Sequence, residues 1–171
     1  MFENWKHLIP ATFSDSSRVW IYQSSRLFFM GEALEIEVMM EQFVSGWLSH
    51  GAKVKGYANL LFGQFVVIIA DEAQTGVSGC STDSSVRLIK QIEEQFKVTM
   101  FDRMNLAFVI KDKVELLPLA HLNHALDNDF ITGETIYFNN TILNKKELLN
   151  KWMIPVKNSW LAARLQPSKT V

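Results

Sequence analysis

Cysteine is nearly absent: Cys80 is the only one in 171 residues. A single thiol excludes an internal disulfide, so packing must hold the fold, and the chain is expected in a reducing cytoplasm. Charge of either sign is also lacking in excess, with 17 Lys and Arg against 18 Asp and Glu. A near-neutral chain has no global field for phosphate backbones, so no nucleic-acid partner is expected. Long apolar runs are missing as well. The best, LLFGQFVVIIA, is broken by Gly63 and Gln64 and falls short of the roughly 20 residues that span a bilayer, so no membrane association is expected. The opening MFENWKHLIPATFSDSS lacks the basic and apolar regions of a signal peptide.

What is present is ordinary for a globular protein: 48% hydrophobic and 20% charged residues, enough to bury a real core. RVWIYQ from Arg18 alternates in the manner of a strand. Gly31 opens a helix that runs to His50, with Leu34, Val38, Phe43, Trp47 and Leu48 expected on its buried stripe and Gly51 as its cap. AKVKGYANLLF and QFVVIIADE read as two strands broken at Gly63 and Gln64, the second apolar on both faces as a central strand is. A second helix follows over about 83–97, burying Val86, Ile89, Ile92 and Phe96, and then NLAFVIKDKVELL turns on Lys111, Asp112 and Lys113.

Strand, helix, strand, strand, helix, strand is the order of a ferredoxin-like βαββαβ sandwich, so the expected class is α+β. The expected organisation is an N-terminal arm (1–17), a ferredoxin-like core (18–117), a C-terminal α/β extension packed on that core (118–164) and a flexible tail (165–171). Within the extension, PLAHLNHALDND and NKKELLNKW read as helices, the latter capped by Asn144, with the strand ETIYFNN between them. Its lysines Lys145, Lys146 and Lys151 are expected on a solvated face.

The stretch VSGCSTDSSVRL, residues 77–88, is the most chemically crowded. A helix start offers unpaired N–H groups and a dipole that attracts anions and lowers a thiol pKa. Gly79, Cys80, Ser81, Asp83, Ser84 and Arg87 are therefore the candidate binding residues, with a small anionic ligand or a protein partner as the occupant. The competing reading is a capped helix, in which Ser81, Thr82 or Asp83 is the N-cap and Cys80 a small buried residue. Named motifs fail here. Six residues, STDSSV, separate Cys80 from Arg87 where a phosphatase loop needs five, and no Gly-Lys pair exists for a P-loop.

His121 and His124 stand three apart, which falls short of a zinc site without further ligands, so no metal and no cofactor are expected. Arg18, Trp20, Tyr22 and Arg26 suggest the aromatic platform of an RNA-binding sheet, but the consensus of that fold is absent and core packing explains the rings.

WIYQSSR, a helix ending in WLSHG, ADE followed by SGCSTDSSV, and YFNN together resemble a family of small proteins of Bacteroidetes-type bacteria that go under the name ABC transporter ATPase. The resemblance covers about residues 18 to 162. Its name implies ATP hydrolysis, but the missing Walker A lysine removes the main grip on the phosphates, and ATPase activity of this chain alone is not expected. The resemblance adds weight to the Cys80 stretch. Three functional classes follow: a non-catalytic binding module, a thiol enzyme with Cys80 as nucleophile, and a structural or oligomeric subunit.

Overall fold

The structure is a computed structural model that describes residue 2, residues 4–71 and residues 79–165, with the backbone alone at 79–82. In chain order the elements begin with β1 (Arg18–Gln23), α1 (Met30–Gly46), β2 (Leu48–Ser49), β3 (Ala52–Lys53), β4 (Lys55–Leu61), β5 (Phe65–Asp71) and α2 (Gly79–Phe96). They continue with β6 (Asn105–Ile110), β7 (Lys113–Pro118), α3 (Leu122–Asp127), β8 (Ile136–Phe138), α4 (Lys145–Lys151) and β9 (Met153–Pro155). The class is α+β. No helix among the described residues is long and apolar enough to cross a membrane.

The chain divides into two compact units, Phe2–Asp102 with Asn140–Leu149, and Arg103–Asn139 with Asn150–Val171. The expected boundary after residue 117 therefore falls inside β7 of the second unit, and the tail beyond Leu165 lies outside the described residues.

In the first unit the sheet order is β1-β5-β4, with every neighbouring pair antiparallel. β1 and β4 thus run parallel with β5 between them, the split βαβ arrangement. β5 is buried along its whole length, as its two-sided apolar sequence demands. A turn with positive φ at Phe62 (+54°) and Gly63 (+63°) joins it to β4, matching the twist of the strands. α1 and α2 both pack on the face that carries Val66, Ile68 and Ala70, contributing Ile36, Met40, Ile89, Ile92 and Phe96. Trp20 and Tyr22 pack against that same core.

A ferredoxin-like sheet would be completed by the strand after α2 lying beside β1. That strand, β6, pairs instead with β7 and β8. The outer edge of β1 is engaged by another segment: the Val19 N–H donates to the Leu143 carbonyl at 3.0 Å, and Arg18 bridges to Asn144. β6 finds its partner β7 through a two-residue hairpin at Lys111 and Asp112, both at positive φ.

α1 differs from its sequence expectation in two ways. It ends at Gly46, because His50 (+50°) and Gly51 (+80°) form the tight turn of the β2–β3 hairpin and do not cap the helix. Leu34 and Val38 are exposed, and the buried pair is Ile36 and Met40. Apolar residues occupy both faces of this helix, so their spacing alone selects no buried side.

The N-terminal arm is pinned. Trp5, Ile9 and Phe13 are buried, Tyr57 donates its hydroxyl to the Leu8 carbonyl at 2.7 Å, and Lys55 bridges Asp71 at 2.8 Å and donates to the Thr12 carbonyl at 3.0 Å. Lys145, expected on a solvated face, is only 5% exposed; its ammonium donates to the carbonyls of Phe13 (2.6 Å) and Ala11 (3.3 Å). Asn144 does cap α4, its Oδ1 accepting the Glu147 N–H at 2.9 Å.

In the second unit the sheet order is β7-β6-β8-β9, all antiparallel. Its core gathers Leu106, Phe108, Leu122, Ile131, Tyr137 and Leu161. Burial raises the pKa of the Tyr137 hydroxyl, which accepts the Trp160 indole N–H at 3.1 Å.

Candidate functional site

α2 begins at Gly79, four residues earlier than the spacing predicts, so Cys80, Ser81 and Thr82 lie within the helix. A helix starting there leaves its first four N–H groups outside the intrahelical ladder and encloses those of Asp83 and Ser84. The side chains of Cys80, Ser81 and Thr82 lie outside the described residues, and so does the capping residue that precedes Gly79. Asp83 is exposed, Ser84 half-buried and Arg87 exposed. Ser85 is fully buried and its hydroxyl meets that of Tyr22 at 3.2 Å.

Two of the candidate residues, Ser84 and Arg87, come together at a larger feature. The second half of α1 and the middle of α2 enclose an open groove of about 960 Å³. Helical spacing places Ser84, Arg87, Leu88, Gln91 and Gln95 along its α2 wall, and Met39, Gln42 and Phe43 along its α1 wall. Half-buried Phe43 supplies aromatic surface, backed by the buried Trp47 with ring centres 4.7 Å apart, and Trp20 stands 6.1 Å behind Trp47. The groove is thus apolar and flat in part, with amides and one guanidinium along a wall. Gln95 is held toward α1 by its hydrogen bond to Glu35 at 2.7 Å. Glu94 also lines the groove.

Two polar groups here have no partner among the described residues. Arg87 forms no ion pair among the described residues. The buried indole N–H of Trp47 has no hydrogen-bond acceptor among them either. Trp47 is set by close contact with β4: a Cβ on Gly56 would stand 2.5 Å from its Cε3 and 2.9 Å from its Cζ3, so only glycine permits this approach.

The other sequence candidates stay apart from the groove. His121 and His124 are both exposed in the second unit, where Asn128 donates to the His124 carbonyl at 2.8 Å. Among the described residues no three His, Cys, Asp or Glu side chains gather as a metal site would require. A second cleft, of about 620 Å³, runs between α1 and β4, with Glu37 and Glu41 opposite Lys53 and Tyr57. Burial raises the pKa of Tyr57 against the lowering effect of the Asn59 amide.

Gln42, Gln91 and Gln95 carry no signal as individual residues. The polar series Ser84, Arg87, Gln91, Gln95 beside the apolar series Leu88, Ile92 is the pattern that marks them. No protein family, curated protein or solved structure matches the chain.

Proposed function

We propose that the chain is a non-catalytic binding module that takes a small anionic ligand in the groove between α1 and α2. The observation that carries this reading is Arg87, a cation without an ion-pair partner among the described residues, on a groove with an aromatic and amide lining. A ligand with a flat apolar part over Phe43, which Trp47 backs, and an acidic group toward Arg87 satisfies both surfaces, since a charge-assisted hydrogen bond adds to ring burial. Ser84 and the Gln91 amide lie close along the same helix face to complete the polar contacts. The lone cysteine supports a cytoplasmic setting. Membership of the Bacteroidetes-type family belongs to the same proposal and brings no reaction with it.

Titration of the ¹⁵N-labelled protein with indole-3-acetate, benzoate and phenyl phosphate tests it. The Trp47 indole and the backbone of residues 84–95 should shift together, and Arg87→Ala should weaken binding about tenfold or more. Shifts confined to other surfaces, or an affinity that ignores Arg87, would overturn the reading.

A further inference from the structure

The face of α1 turned away from the core is apolar. Met30, Leu34 and Val38 follow one another at a spacing of four and are 78%, 56% and 51% exposed; Leu27 and Phe29, in the segment just before the helix, are also exposed. Helical geometry sets this line opposite the buried Ile36 and Met40. The charged residues of the helix itself are all negative, and the one cation over the stripe, Arg26 at 5.1 Å from the Phe29 ring, is neutralised by Glu32 among the described residues. Glu35, Glu37 and Glu41 are exposed on the same helix, and no lysine or arginine occurs from Leu27 to Ala52. Glu32, the fourth glutamate, is paired with Arg26. Lys53, across the cleft that Glu37 and Glu41 line, is the nearest basic residue in sequence beyond the helix.

We propose that this outward face docks a basic amphipathic helix of a partner protein. Size, charge and spacing each select that occupant. Five such side chains present on the order of 500 Å² of apolar surface, more than a scatter of single residues and less than the roughly 800 Å² each partner of a stable globular dimer buries. One helix laid along α1 fits that area and meets anchors at every fourth position with its own. A second copy, approaching about a two-fold axis, sets glutamates against glutamates, and an anionic membrane surface meets the same repulsion. Lysines or arginines flanking an apolar stripe complement Glu35, Glu37 and Glu41 and speed encounter. Met30, unbranched and polarizable, lets the end of the stripe adapt to its partner.

The test uses the full chain and a synthetic 18-residue Leu/Lys peptide with leucines at helical spacing, compared with the same peptide carrying Glu in place of Lys. The basic peptide should bind at least about tenfold more tightly in fluorescence anisotropy. Leu34→Ser combined with Val38→Ser should weaken it about tenfold or more, Glu37→Gln with Glu41→Gln should weaken it and flatten its salt dependence, and Arg87→Ala should leave it unchanged. These positions are exposed, so the variants should keep the wild-type thermal midpoint, which is measured alongside. Equal binding of the two peptides, or indifference to the serine pair, overturns the proposal. So does a wild-type dimer in light scattering that the serine pair dissolves, or binding to phosphatidylserine vesicles in place of the basic peptide.

Discussion

Arg26 grips Glu32 through two parallel hydrogen bonds, Nη1 to Oε2 at 2.7 Å and Nη2 to Oε1 at 2.8 Å. The carboxylate also accepts the Phe29 N–H at 2.8 Å, and the guanidinium also donates to the Phe96 carbonyl at 2.8 Å. One ion pair therefore ties the start of α1 to the end of α2. Two side chains six residues apart in sequence thus help hold the groove walls in register.

The same pair makes stability depend on pH. The Arg26 hydrogen bond, above all, holds the Glu32 carboxyl at about 2; desolvation opposes it, and the Phe29 N–H and the Arg26 charge assist. Because the folded value is depressed, the unfolded chain takes up the proton first as pH falls. The contribution is full above the ordinary carboxylate value of about 4.3 and is lost between there and about 2. Solvent reaches both groups, so the effect is modest. Denaturant midpoints of wild type should fall faster across that window than those of Glu32→Gln, and the two should converge at its acid end. Parallel curves would show that the pair contributes nothing to folding.

Lys145 supports a second expectation. Its buried ammonium donates to two carbonyls of the N-terminal arm, and hydrogen bonds from a charged donor are worth about 1.5–3 kcal/mol. Lys145→Met keeps the aliphatic stem but leaves the Ala11 and Phe13 carbonyls without that donor. Stability should drop by about 1–3 kcal/mol, and amide exchange should quicken around residues 11–17 well before it does in β5. Uniform acceleration along the chain would mean that Lys145 supports the core generally and does not pin the arm.

How much of this was legible depended on whether a local pattern had one solution. β5 was readable because Val66 to Ile69 is apolar on both faces, the pattern of a central strand. The α2 stripe of Ile89, Ile92 and Phe96 was readable because its other face is polar. α1 was misread because both of its faces are apolar, and the choice between Leu34 and Ile36 is made by the sheet below. The missing fourth strand was unreadable for a similar reason: it depends on Leu143 and Asn144, more than a hundred residues away in sequence, reaching the edge of β1.

Of the residues that the sequence singles out near Cys80, Ser84 and Arg87 line the groove between α1 and α2. The opposite wall comes from the end of α1, and only the packing of the two helices reveals that Gln42, Phe43 and Trp47 belong with them. Lys145 shows the limit from the other side, since a lysine-rich helix turn gives no local sign that one of its charges is buried beneath the chain terminus.

Gly56 links the sheet to the groove and can be tested alone. A methyl there would enter the six-membered ring of Trp47, a rigid neighbour that cannot swing aside as a flexible chain would. Gly56→Ala should cost about 1–3 kcal/mol, the usual penalty of overpacking, and should change the near-ultraviolet circular dichroism of the Trp47 and Phe43 rings. Gly31→Ala, with nothing within 4 Å of the new methyl and a helical backbone, should be neutral or raise stability by up to about 1 kcal/mol. Similar losses at both positions would count against close contact as the reason for glycine at 56.

The two faces of α1 yield the sharpest comparison. Ile36 is 0% exposed and Leu34 56%, although they are two residues apart and nearly equal in size. Ile36→Ala removes buried methylenes from a core in which Ile68, Ile89 and Met40 cannot fully collapse, so it should destabilise by about 2–5 kcal/mol. Leu34→Ala takes apolar surface from water and improves helix propensity, so it should stay within about 0.5 kcal/mol of wild type. Chemical denaturation of both variants measures the difference. If the larger loss fell at Leu34, the inward face of the helix would be the one its sequence spacing first suggested, and both the groove and the outward docking face would have to be redrawn.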